Sequence, residues 1–207
     1  MIECVIFDMD GVLIDARDWH YEALNEVLAM FGFEISRKDH ENRFNGLPTK
    51  TKLEILSKES GLPRGLHPLI NRIKQERTLR IASFKCFPTA QHQILMAALK
   101  RHGIKIGVAT NSVRITAESM LRAAGIYPFL DCLVTNQDVS KPKPDPEIYL
   151  RAMEKLGVRG INTLVVEDNQ HGIRAATDAG CEVLKVESTS DVHIENLNKY
   201  FNGILSK

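Results

Sequence analysis

The 207-residue sequence lacks the features of membrane, secreted and nucleic-acid-binding proteins. No apolar run approaches membrane-spanning length, and the amino terminus, Met1-Ile2-Glu3, lacks the basic and then apolar pattern of a signal peptide. The formal net charge of only +1 gives no electrostatic reason to expect nucleic acid, a membrane surface or a polyanion as a partner. The sequence therefore predicts a globular protein that binds neither nucleic acid nor a membrane.

Cysteine is scarce, and its four positions exclude two kinds of site. No pair has the spacing of a zinc site or of a redox motif. Most of these cysteines lie in or beside apolar runs, which indicates buried free thiols in a reducing compartment. We therefore expect a cytoplasmic protein. The four residues are Cys4, Cys86, Cys132 and Cys181.

The segment 4–12 stands out among the residues that are present. Its apolar run predicts a strand buried on both faces, and the run ends in two carboxylates, Asp8 and Asp10, followed by Gly11. Residues i and i+2 of an extended chain point to the same side, so the two carboxylates should point together. Two carboxylates in one small site repel each other unless a bound cation or a shared proton reduces their negative charge. The segment predicts a metal-assisted carboxylate site, the alternative being an ordinary Asp-Gly turn.

The remaining sequence alternates between helical and strand patterns, except in one long stretch. Residues 15–84 show helical patterns and no strand signal, whereas from residue 87 onward helices and short apolar strands follow each other. Such alternation indicates a parallel sheet with helices on both faces. The predicted fold class is α/β, with a Rossmann-like doubly wound parallel sheet as the core, residues 1–14 and 85–207. Residues 15–84 are predicted to form an inserted, all-helical cap.

Polar residues follow four of the predicted strands. Ligands of open parallel sheets bind beyond the carboxyl ends of the strands, so these residues should meet in one site. Each cluster also has a simpler explanation, as a helix cap, a first-turn acid or a solvated loop charge. Together they suit the transfer of a phosphoryl group. The clusters are Asp8 with Asp10, Thr110-Asn111-Ser112, Lys141, and Glu167 with Asp168.

Four segments in the same order carry a resemblance to a known family. They are Phe7-Asp8-Met9-Asp10-Gly11-Val12, Ala109-Thr110-Asn111-Ser112, Ser140-Lys141-Pro142-Lys143-Pro144-Asp145-Pro146 and Val166-Glu167-Asp168-Asn169. Over nearly its whole length the chain resembles the haloacid dehalogenase-like hydrolase superfamily, and within it the β-phosphoglucomutase and phosphoglycolate phosphatase-like group. The resemblance implies a magnesium-dependent phosphatase that hydrolyses a small phosphate monoester through an aspartyl-phosphate.

The resemblance also implies roles for the acidic residues. Asp8 would attack phosphorus, and Asp10 would protonate the leaving oxygen and then deprotonate the incoming water. Magnesium would be held by Asp8, Asp168 and the backbone carbonyl of Asp10, with Glu167 as a further ligand, direct or through water.

Three polar residues are expected to bind the substrate phosphate. Thr110, the backbone amides near Asn111, and Lys141 would hold the equatorial oxygens, on which charge accumulates in the transition state. The loop contains a second lysine, Lys143. We favour Lys141, because the lysine of the family opens the Lys-Pro-x-Pro run.

The predicted cap offers three candidates for substrate specificity, His20, Thr49 and Lys50. His20 matches a residue near the cap entrance in the group, although a packed core histidine is an equal alternative. An arginine of β-phosphoglucomutase-like enzymes holds the distal phosphate, and the aligned position here is Thr49. The neutral Thr49 hydroxyl cannot make the two parallel, charged hydrogen bonds that an arginine makes with a phosphate. Lys50 would supply a positive charge but not this paired geometry. This difference favours a phosphatase over a sugar phosphomutase.

Three other classes of protein fit the sequence less well than a phosphatase does. A dehalogenase needs neither the magnesium ligands nor Asp10, and a phosphoacceptor receiver is shorter and places its aspartate after the third strand. A binding protein without turnover is disfavoured by the intact acidic set. We expect a small phosphorylated metabolite as the partner, and a monomer or a weak homodimer.

Overall fold

The computed structural model describes residues 1–206. The strands are β1 (Cys4–Phe7), β2 (Lys105–Ala109), β3 (Cys132–Val134), β4 (Thr163–Glu167) and β5 (Glu182–Lys185). The helices are α1 (Arg17–Ala29), α2 (Arg37–Asp39), α3 (Thr49–Glu59), α4 (His67–Lys85), α5 (Ala90–Arg101), α6 (Arg114–Ala123), α7 (Glu147–Leu156), α8 (Gln170–Asp178) and α9 (Ile194–Asn198). A π-helical segment, His40–Phe44, directly follows α2.

The chain divides into two compact units, residues 1–15 with 86–207, and residues 16–85. The first unit contains all five strands named above, and the second contains α1 to α4. Each boundary lies one residue after the position expected from the sequence. The role of the helical unit as a cap stays a prediction.

The five strands form one parallel sheet in the order β3-β2-β1-β4-β5. All four residues of β1 are buried, as its continuous apolar sequence predicts for a central strand. Cys4 and Ile6 face a core cluster that contains residues of α7 and α8, and Val5 and Phe7 alternate to the opposite face. Full burial of a side chain such as Ile6 contributes about 2 kcal/mol to stability. The order of the strands places β1 between β2 and β4, the two strands whose ends carry polar clusters.

The helical unit has its own apolar core. Leucines of α1 and α3 pack there with Ile70 of α4, and the Asn25 side chain makes two hydrogen bonds with the backbone of Ile35. These bonds fix the chain that leaves α1. The buried core residues are Leu24, Val27, Leu28, Ile35, Phe44, Leu53, Leu56, Leu62 and Ile70.

The parallel sheet with flanking helices confirms the predicted α/β fold class. Among residues 1–206, the helices are all too short or too polar to cross a membrane.

Candidate active site

The end of β1 holds the first two predicted site residues. Asp8 is buried, and its N–H group donates to the carbonyl of Val166 on β4 at 2.9 Å. The chain then turns at Gly11, whose φ of 88° is a conformation that favours glycine. The Gly11 N–H donates to the carbonyl of Ile14 at 2.7 Å and closes this turn, which leaves Asp10 half-buried. The sheet and the turn therefore fix the backbone around both aspartates.

A buried lysine joins the ends of three neighbouring strands. The Nζ atom of Lys143 lies 2.7 Å from Asp8 Oδ1 and 2.6 Å from Glu167 Oε1. The same atom donates to the carbonyl of Ala109, the last residue of β2, at 2.9 Å. Burial lowers the pKa of Lys143, but the charges and hydrogen bonds of the two carboxylates outweigh this effect and raise the pKa above its ordinary value, which favours the charged ammonium form. One ammonium group thus contacts residues at the ends of β1, β2 and β4.

The two lysines of this loop lie in different surroundings. The Lys141 side chain is 74% exposed, and its Nζ atom lies 3.8 Å from Asp145, whereas the side chain of Lys143 is 3% exposed. The backbone explains the difference, because the Lys141 N–H donates to Glu147 at 2.9 Å, and the Lys143 N–H donates to Asn111 at 3.3 Å. Lys143 is therefore the lysine that contacts the acidic residues, and a phosphate-binding role of Lys141 stays a prediction.

Glu167, the last residue of β4, is completely buried and accepts five hydrogen bonds. Its Oε1 atom accepts from Lys143 and from the hydroxyl of Tyr149 at 2.8 Å. Its Oε2 atom accepts from the N–H groups of Asp168 and Asn169 and from the Asn169 side chain. A Cβ atom at Gly172 would overlap this carboxylate. Glu167 is thus tightly packed, and it holds Lys143, Tyr149 and the backbone that follows β4.

Tyr149 is a residue of the site that the sequence analysis missed. Its side chain is fully buried on α7, and the Lys143 Nζ atom lies 4.9 Å from its ring centroid. Burial, followed by the charge of Glu167, raises its pKa well above the ordinary value, so the hydroxyl stays protonated and donates to Glu167. The sequence feature that could have identified Tyr149 is its hydroxyl group among the apolar residues of the buried face of α7.

The turn after β2 brings the predicted phosphate-binding residues to the same edge of the sheet. The Thr110 N–H donates to the carbonyl of Val134 at 3.0 Å, which continues the pairing of β2 with β3. Its hydroxyl oxygen accepts the N–H of Ser112 at 3.0 Å, and the Ser112 hydroxyl donates to Asp10 Oδ2 at 2.8 Å. Asn111 accepts the Lys143 N–H through its side-chain oxygen. Thr110 and Asn111 are therefore close to the aspartates, as expected from the strand order.

Three carboxylates form a possible metal site. Ligand atoms of Asp8, Glu167 and Asp168 all lie within 4.8 Å of one another. Burial raises the pKa of Asp8, the neighbouring carboxylates raise it further, and Lys143 opposes this change. A single lysine, Lys143, contacts two of these three acids. Carboxylate oxygens are the ligands that a hard divalent cation such as magnesium prefers, so the set fits this ion. The predicted contribution of the Asp10 carbonyl stays a prediction.

The predicted specificity residues lie in the helical unit. His20 is half-buried on α1, and its Nδ1 atom lies 2.9 Å from the Nζ atom of Lys74. Thr49 begins α3 half-buried, whereas Lys50 is exposed. One turn further along α3, Lys52 is buried. Burial of His40 lowers the pKa of that imidazole to about 4, and the charge of Lys52 contributes to the same shift. Lys52 is therefore a buried cation that the sequence analysis did not identify.

Several known proteins are similar to this chain in sequence or in structure. The phosphorylated carbohydrates phosphatase of Thermotoga maritima is 33% identical over 183 residues, which cover 87% of this chain and 83% of that protein. CbbY from Rhodobacter sphaeroides, solved in complex with phosphate, has a TM-score of 0.79 at 27% identity, covering 88% of this chain and 85% of that chain. β-Phosphoglucomutase from Clostridium difficile shares the fold over 100% of both chains, with a TM-score of 0.84 and 24% identity.

The family model of the haloacid dehalogenase-like hydrolases matches residues 5–186, which include all four motifs. This match confirms the resemblance seen in the sequence and the expectation of an enzyme. The chain belongs to the haloacid dehalogenase-like hydrolase family.

Proposed function

We propose that the chain is a magnesium-dependent phosphatase that hydrolyses a small phosphate monoester through an aspartyl-phosphate on Asp8. The observation that supports this most is the buried contact of Lys143 with Asp8 and Glu167, beside Asp168. A carboxylate oriented by a buried cation, at the carboxyl end of the central strand, suits nucleophilic attack. The similarity to a phosphorylated carbohydrates phosphatase supports a sugar phosphate as the substrate class.

The other residues would divide the remaining tasks. Asp10 would give its proton to the leaving oxygen while Asp8 attacks phosphorus, and it would take a proton from water in the second half of the reaction. Thr110, the amides near Asn111, and Lys143 would hold the equatorial oxygens of the phosphate. Each of these groups is at or near the ends of β1 and β2.

Magnesium would be held by Asp8 and Asp168, together with the carbonyl of Asp10. When bound, it would cancel the repulsion between the phosphate and the carboxylates. Glu167 suits a supporting role better than direct ligation, because both of its oxygens already accept hydrogen bonds. Its buried position would instead fix Lys143 and the backbone of Asp168.

Magnesium dependence is tested with a panel of phosphate monoesters, with inorganic phosphate as the readout. We expect hydrolysis with magnesium, loss of activity after chelation, and recovery when magnesium is added back. Asp168→Asn should raise the magnesium concentration needed for half-maximal activity, whereas Asp178→Asn, at the exposed end of α8, should not. Undiminished turnover after thorough chelation would contradict the proposed metal dependence.

A sugar phosphomutase is the second candidate, and Lys52 is the observation that favours it. This buried cation lies three residues after Thr49, so both residues lie on neighbouring turns of one helix face. A mutase needs such a charge for the distal phosphate of its bisphosphate intermediate. Lys is a point charge without the fork of arginine, so we still favour hydrolysis.

The two candidates are separated by incubating the protein with glucose 1-phosphate and a trace of glucose 1,6-bisphosphate. We expect inorganic phosphate to form faster than glucose 6-phosphate. The opposite order would assign the chain to the mutases. In that case Lys52→Met should lower isomerisation, and Lys50→Met, at an exposed position of the same helix, serves as the matched control.

A further inference from the structure

The Asp10 carboxylate is fixed by a residue that is distant in the sequence. The Ser112 hydroxyl donates to Asp10 Oδ2 at 2.8 Å, although the two residues are 102 positions apart. The backbone of Asp10 is held independently, since it pairs with Ile14 and the turn is closed by the Gly11 N–H. Ser112 thus acts on the side chain, while β1 and its turn act on the main chain.

Ser112 is itself held in place by the turn that follows β2. Its N–H group donates to Thr110 Oγ1 at 3.0 Å, and its carbonyl accepts the N–H of Asn136 at 3.4 Å. Thr110 is buried and is bonded through its own N–H to Val134 on β3. Neither of these two bonds, to Thr110 and to Asn136, uses the Ser112 hydroxyl group. The Ser112 hydroxyl can therefore be removed without breaking the turn.

The contact between Ser112 and Asp10 does not depend on the protonation of Asp10. A carboxylate only accepts hydrogen bonds, whereas a hydroxyl group can donate or accept one. The Ser112 hydroxyl donates to Oδ2 when Asp10 is ionised, and the same two oxygens, 2.8 Å apart, can stay bonded when Asp10 is neutral. Ser112 thus fixes the orientation of the Asp10 carboxyl group in both forms.

We propose that Ser112 is the positioning residue of Asp10 and fixes the orientation of its carboxyl group through Oδ2. This inference rests on the proposed function. In the first step the proton of Asp10 passes to the leaving oxygen as the bond of that oxygen to phosphorus breaks and the bond from Asp8 forms. In the second step water loses a proton to Asp10 and attacks phosphorus, and the Asp8–phosphorus bond breaks. Ser112 holds Oδ2 in both steps.

The test compares Ser112→Ala with Ser112→Thr on two aryl phosphates of similar size. Phenyl phosphate has a basic leaving group that needs a proton, whereas p-nitrophenyl phosphate has a leaving group that departs as an anion. Ser112→Ala should lower kcat/KM for phenyl phosphate by about 30-fold. This is less than the roughly 10²–10⁴-fold contribution of general acid catalysis, because Asp10 itself remains, and the loss for p-nitrophenyl phosphate should be less than about threefold. Ser112→Thr keeps the hydroxyl and should restore most of the loss. The midpoint of thermal unfolding should stay close to that of the wild type.

A double-mutant cycle with Asp10→Asn shows whether Ser112 acts through Asp10. If it does, adding Ser112→Ala to Asp10→Asn should cause no further loss of kcat/KM for phenyl phosphate. Equal losses for the two substrates, a higher KM with unchanged kcat, or additive losses in the cycle would overturn the proposal. A wild type that hydrolyses no monoester with magnesium would overturn the proposed function, and this inference with it.

Discussion

Asp8→Asn is expected to abolish phosphoenzyme formation and turnover. An amide is a poor nucleophile, and loss of a catalytic nucleophile costs on the order of 10⁵-fold or more in rate. The variant should stay folded, because the Lys143 Nζ atom keeps its contacts with Glu167 and with the carbonyl of Ala109. The measurements are steady-state phosphate release and the intact mass of protein quenched in acid during turnover, which detects an added phosphoryl group.

The same substitution at the second aspartate, Asp10→Asn, is compared with Asp8→Asn. It removes the proton shuttle and keeps the nucleophile, so rates should fall by roughly two to four orders of magnitude. With p-nitrophenyl phosphate, whose leaving group needs no acid, the phosphoenzyme should accumulate and be visible by mass. Substantial activity in Asp8→Asn would show that another group attacks phosphorus.

Lys143→Met is expected to remove activity and to lower stability together. The substitution leaves Asp8 and Glu167 buried without their common cation, and breaking a buried ion pair from one side costs about 3–5 kcal/mol. Loss of a preorganised charge from the phosphate site lowers kcat by about 10²–10³-fold. Urea unfolding and phosphate release measure the two effects. Lys143→Arg keeps the charge and tests activity if the Met variant unfolds.

Lys141→Met is the same substitution two residues earlier, at an exposed side chain. Its stability should change by less than about 0.5 kcal/mol, and its kcat should remain near that of the wild type. If Lys141→Met were inactive and Lys143→Met active, the lysine of the family motif would be the one that the sequence analysis first selected.

The acidic part of the site could be predicted because it follows from the sheet. Asp8 and Glu167 are the residues at the ends of two buried strands, and parallel strands bring their carboxyl ends to one edge. The apolar runs fix which strands are central, so the proximity of these acids needs no knowledge of side-chain conformations. The same reasoning placed Thr110 beside them.

The choice between two lysines could not be made in this way. The loop that contains Lys141 and Lys143 has three prolines and no periodic pattern, so its path depends on tertiary contacts. Those contacts come from Glu147 and Asn111, which accept backbone N–H groups of the loop. The burial of Lys52 could not be predicted for a similar reason. A lysine on a helix is usually solvated, and no feature of the neighbouring sequence indicates that this one is buried.

The lack of a side chain at Gly172 limits which substitutions the site tolerates. Glu167 fills the space that a Cβ atom at Gly172 would occupy, so a side chain at this position of α8 would overlap the acid on β4. Substitution of Gly172 would displace the Glu167 carboxylate, and this displacement would weaken its hydrogen bonds with Lys143 and Tyr149. Positions 167 and 172 are therefore coupled, because a side chain at residue 172 disturbs the acid that supports Lys143.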